Sequence, residues 1–113
     1  MYYKIIKNFK LLPPKKFNGI VIYPFIFAHP NGLNERQLNH ELIHIKQQRE
    51  LLVIPFYILY LVEFLFRLIQ YRNPSLAYYN ISFEREAYTN ERKVGYLENR
   101  KWYSWMKYIK LKT

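Results

Sequence analysis

The chain has no cysteine and no aspartate. Without cysteine there is no disulfide framework, no thiolate metal site and no cysteine nucleophile. Any zinc must then be held by histidine and carboxylate, a donor set typical of catalytic rather than Cys-rich structural sites. Without aspartate, every carboxylate side chain is one of eight glutamates. Histidine is also scarce, with three in 113 residues. The longest uncharged run within the most apolar stretch, Leu51 to Val62, has 12 residues. The opening Met1-Tyr2-Tyr3-Lys4-Ile5-Ile6-Lys7 lacks the apolar core and small-residue cleavage site of a secretory signal, so a cytoplasmic location is expected.

What the chain has in excess is positive charge and tyrosine. The net charge is +10, with 12 tyrosines. Lys4, Lys7, Lys10, Lys15 and Lys16 precede any acid, and Arg100, Lys101, Lys107, Lys110 and Lys112 follow the last one. Such a surface suits an anionic membrane, an acidic polypeptide or nucleic acid. No stretch resembles a sequence-reading nucleic-acid fold, so nucleic acid ranks last. The simplest reading of the charge is a solvated lysine-rich surface.

The length fits one domain with a modest core. Residues Phe17 to Ala28 are β-branched and aromatic around Pro24 and predict a strand pair or one bulged edge strand. His29-Pro30-Asn31-Gly32 predicts a turn. Asn34 and Gln37 form a capping-box pattern opening a helix over Glu35 to Leu52. Pro55 suits the first turn of a second helix reaching about Gln70. After Asn73-Pro74-Ser75, a third helix is expected from Leu76 to Glu91. Gly95 interrupts, and a short helix from Lys101 to Ile109 closes the chain. The fold class is therefore α+β, mainly helical, with an N-terminal strand or β-hairpin on three to four helices.

The second helix is apolar from Leu51 to Tyr71 except for Glu63, Arg67 and Gln70. Its length and internal charges favour a buried core helix over a span of ~20 residues. Peripheral membrane contact is the alternative, supported by the cationic aromatic tail KWYSWMKYIKLK.

One run carries chemistry: Asn39-His40-Glu41-Leu42-Ile43-His44, an H-E-x-x-H within the first helix. Histidines four apart share a helical face and can converge on one Zn²⁺, with Glu41 beside them to deprotonate an activated water. With so few histidines the pattern arises by accident about once in 200 chains, taking frequencies as independent, so it is informative. No histidine follows His44, and His29 in its turn reads as a surface residue. The third ligand must then be a carboxylate completing a His₂Glu site. Glu84 is favoured, because Glu84-Arg85-Glu86-Ala87 places a small residue where two helices could approach closely. Glu86 and Glu63 are alternatives, although Glu63 also reads as an i, i+4 partner of Arg67. Tyr88, Tyr78 and Tyr79 are candidates for polarising a carbonyl.

The segments NHELIHIKQQREL, IPFYILYLVEF and ISFEREAY together resemble small bacterial zincin-like metallopeptidases of the gluzincin type. The resemblance spans roughly residues 17 to 110. It implies a single zincin-like domain over residues 1–113, with His40, His44 and Glu84 as zinc ligands and Glu41 as general base. It also implies an N-terminal strand along which an extended peptide could add. The chain departs from the family in two ways. The position four residues after the ligand glutamate, an aspartate in many gluzincins, is Tyr88; Asn90, one turn past Glu86, is an alternative orienting residue. A second cleft-forming domain is also not expected within these 113 residues.

The expected function is zinc-dependent hydrolysis of peptide bonds in a peptide or protein substrate, through a metal-activated water. The alternative is a catalytically inactive, metal-stabilised binding or regulatory module, with a peripheral membrane position as one option for it.

Overall fold

Pro55 decides how the helical part is laid out. In an uninterrupted helix its ring would meet the carbonyl of Leu51, and it has no N–H to donate there. The first helix, α1 (Glu35–Leu51), accordingly stops at Leu51. Leu52 takes a left-handed φ of 64°, and α2 (Val53–Tyr71) sets off in a new direction. This computed structural model describes residues 3–6, 19–28 and 34–110. The turn expected at 29–32, with His29, lies outside the described residues, as do most of the N-terminal lysines.

At the start of α1 the capping box closes as the sequence predicts. Asn34 Oδ1 accepts from the Gln37 backbone N–H at 2.8 Å, and Gln37 Oε1 accepts from Asn34 N–H at 2.9 Å. Arg72, left-handed at φ 55°, ends α2, and the Asn73 side chain caps α3 (Pro74–Tyr79).

The single helix expected over Leu76 to Glu91 is instead two: α3 and α4 (Ser82–Asn90). Asn80 is the cause. Its Nδ2 donates to Leu76 O at 2.7 Å and its Oδ1 accepts from Arg85, so the side chain competes with the helical ladder. Ile81 turns extended and is fully buried. Glu63, from α2, then caps α4, accepting from Ser82 N–H at 2.7 Å and Ser82 Oγ at 2.6 Å. Gly95, at φ 77°, leads into a short α5 (Tyr96–Asn99). The closing helix expected at 101–109 is a 3₁₀ turn, Ser104–Tyr108.

The strand pair is an antiparallel hairpin of β2 (Gly19–Ile22) and β3 (Phe25–Ala28). A strand the sequence reading missed, β1 (Lys4–Ile6), pairs parallel to β3, giving the order β1-β3-β2. The architecture is α+β and mainly helical, with this sheet beside the helices. Gln48 of α1 holds the hairpin: its Oε1 accepts from Tyr23 N–H at 2.7 Å and its Nε2 donates to Val21 O at 2.9 Å. Tyr57 also donates to Val21 O. The β2 edge is therefore occupied at Val21, with Tyr23 of the turn held beside it, and an added peptide strand would have to displace these contacts.

Two apolar clusters flank α1. Val21 and Ile26 pack with Leu42 and Ile45; Phe56, Ile81, Phe83 and Trp105 form the second cluster. The expectation of a buried core helix at 51–71 is overturned. Only Phe56 and Arg67 of the 19 residues of α2 are buried. A helix apolar all round reads as core from sequence, but among the described residues the other elements cover only one side of it.

Candidate metal centre

Periodicity puts His40 and His44 on the same inward face of α1, and both are buried. Helix α4 packs against α1, with Ala87 fully buried. Its first turn brings Glu84 to the two imidazoles. His40 Nε2 lies 3.1 Å and His44 Nε2 3.0 Å from the same Glu84 oxygen, Oε1, and the two Nε2 atoms are 3.2 Å apart. A tetrahedral ion with bonds of 2.0–2.1 Å has donors about 3.3–3.4 Å from one another, so this triangle needs little adjustment to hold one. A buried His-His-Glu group able to hold a metal ion is thus present.

The second nitrogen of each ring meets an acceptor. His40 Nδ1 is 2.9 Å from Glu91 Oε1, and His44 Nδ1 is 2.7 Å from Gln47 Oε1. Gln47 spends its own Nε2 hydrogens on Phe83 O and Glu86 Oε1, which leaves its oxygen facing the histidine. Both rings are therefore set to donate from Nδ1 and to present Nε2 to the centre, the orientation that partners of metal-binding histidines enforce. Two lone pairs and a carboxylate oxygen at such distances repel unless a cation or proton lies between them. Glu91 is itself held by Arg36 at 2.6 Å. The other Glu84 oxygen accepts from the Tyr60 hydroxyl at 2.6 Å, leaving Oε1 for the histidines.

The electrostatics follow from this crowding. Burial opposes a charged His44, but Glu84, with Glu41 and Gln47, outweighs it and pushes the imidazole up to about 9. Burial also opposes a charged Glu84, yet His44 and the hydrogen bonds from both histidines hold it well below the usual carboxylate range. Glu41 is buried beside the cluster, and among the described residues none hydrogen-bonds its carboxylate. Desolvation pushes it up to about 7, against the opposing pull of His44 and His40.

A proton on His44 must leave when a metal enters. Metal affinity is therefore expected to rise with pH, about tenfold per unit between 7 and 9, flattening above about 9 where His44 is already neutral. Below pH 7 the slope should steepen, because a cation also draws the proton from Glu41. Competition titration against a chromogenic chelator at several pH values checks this; a flat profile would contradict it.

The other candidates are engaged elsewhere. Glu86 is fully buried and pairs with Arg100, Gln47 and Tyr96. Glu63 pairs with Arg67 and caps α4. Asn90 bonds Glu86 O and Tyr108, not a histidine. The Tyr88 ring stands edge-on to His40 at 4.4 Å, its hydroxyl 2.9 Å from that of Tyr78, and Tyr79 packs on Tyr88 at 5.0 Å.

Sequence reasoning missed Glu91, Gln47 and Tyr60. Glu91 stands two helical turns after Glu84 and Gln47 one turn after His44, so spacing could have flagged both. Tyr60 arrives from another helix and carried no such signal. No protein-family model, curated protein or solved structure matches the chain.

Proposed function

We propose that the chain is a zinc-dependent metallopeptidase of the gluzincin type, with His40, His44 and Glu84 as ligands and Glu41 as general base. The observation that carries this reading is the convergence of two Nε2 lone pairs and one carboxylate oxygen on a single point. Zinc bound there would lower the pKa of a water to near 7 and polarise a peptide carbonyl. Glu91 and Gln47 keep both rings in the binding tautomer, and Tyr60 keeps Glu84 in place. Glu41 takes the proton of the attacking water and delivers it to the leaving amine. Its burial favours this, since a base poised near neutrality transfers protons both ways at small cost.

A second reading is a metal-stabilised module without turnover. It is favoured by the placement of the ligands on α1 and α4, which a bound ion would tie together. A peptide library incubated with the zinc-loaded chain separates the two. Cleavage that stops on chelation and returns with zinc is the expected result; a fully zinc-loaded chain that cuts nothing supports the inactive module.

A further inference from the structure

The outward face of α2 carries no charge along its whole length. Ile54, Ile58, Leu61, Leu65 and Ile69 recur on it at helical spacing, with Ile54 73% and Ile69 78% exposed. The two ionic side chains of the helix lie on the other side: Arg67 is buried, and Glu63 is spent on Arg67 and Ser82. This is the inverse of a water-facing helix. Nineteen residues at 1.5 Å each give an apolar face about 28 Å long, far more than scattered exposed residues. By length and composition α2 could cross a membrane.

Its surroundings say how lipid would meet it. The segment 101–110 is tied near both ends of α2. Tyr103 N–H donates to Glu50 at 2.7 Å, next to the start of the helix. Arg85 donates to Tyr108 O at 2.8 Å, to Lys110 O at 2.9 Å and to the Tyr71 hydroxyl at the far end. This segment exposes Trp102, Met106 and Ile109 among Lys101, Lys107 and Lys110. Aromatic and apolar groups interleaved with lysine suit the headgroup region of an anionic bilayer. A second copy of this chain, at +10, would oppose the same cations and is disfavoured. A span is disfavoured too. The inner face of α2 places Phe56 in the core and the Tyr60 hydroxyl on Glu84, and it carries the Glu63–Arg67 pair, so crossing would take ionic groups to bilayer depth.

We infer that α2 lies in the plane of an anionic lipid surface, its outer face embedded and the lysine-bearing segment 101–110 at the headgroups. Such docking holds the histidine cluster at the bilayer and needs no metal.

Flotation of the full chain with vesicles tests it, using phosphatidylcholine mixed with phosphatidylglycerol against phosphatidylcholine alone. The chain should float with the mixed vesicles, and high salt should weaken the association. Replacing Lys101, Lys107 and Lys110 by Gln should lower affinity about 100-fold, at roughly fivefold per charge. Ile58→Glu with Ile69→Glu should abolish flotation, both positions being exposed; Ile58→Ser with Ile69→Ser gives the same readout if the first pair fails to fold by circular dichroism. A chain that ignores mixed vesicles overturns the inference. So does a glutamate or serine pair, still folded, that floats like the parent. A dimer in lipid-free buffer split by Ile58→Glu overturns it as well, by making the face a contact between copies.

Discussion

Glu41→Gln is expected to leave zinc bound and to lower kcat by about 10²–10⁴-fold, the range a positioned general base contributes. Glutamine matches glutamate in size and keeps the α1 helix intact, but its amide cannot take a proton at neutral pH. No described residue hydrogen-bonds the Glu41 carboxylate, so the substitution orphans none of them and reads the chemistry rather than the fold. The ligand atoms stay on His40, His44 and Glu84. Steady-state kinetics on whichever peptides the parent cleaves, with metal content measured on the same sample, checks this. A variant that retains metal and parental kcat would remove Glu41 from the mechanism.

Arg100→Ala is expected to destabilise the chain by about 3–5 kcal/mol, since removing one member of a buried ionic network leaves the others uncompensated. The Arg100 side chain is 1% exposed, pairing Glu50 of α1 at 2.7 Å and Glu86 of α4. Burial opposes its charge, but the hydrogen bonds to Glu86 and Glu50 raise its pKa above the ordinary guanidinium value. Truncation would strand two carboxylates, one of them also holding Gln47, which orients His44. Against a total stability of roughly 5–15 kcal/mol, the loss is large enough to threaten folding. Urea unfolding of the metal-free chain measures it; a loss below about 1 kcal/mol would show that the network contributes little.

The parts of this molecule that a sequence displays are those set by local periodicity and capping. Asn34 with Gln37 marks the start of α1, and the spacing of His40 and His44 puts both rings on one face. Pro55 marks the break before α2. The phase of α4 was not readable in the same way. The interruption at Asn80 and Ile81 restarts the helix; Arg85 of α4 holds Asn80, and Glu63 reaches from α2 to cap the restart at Ser82. Glu84 and Glu86 could therefore be told apart only by weak signals such as Ala87. The strand β1 pairs with β3 across some twenty residues and lies beyond any local signal. The exposure of α2 is not legible in its sequence, because apolar residues all round a helix do not say which of its faces the rest of the chain covers.

The metal content of the chain purified without added metal, by elemental analysis beside His40→Ala, bears most directly on the central claim. One zinc per chain, absent from the variant, is the predicted result. A metal-free parent that takes up no zinc on titration, or a His40→Ala variant that holds as much zinc as the parent, would contradict it.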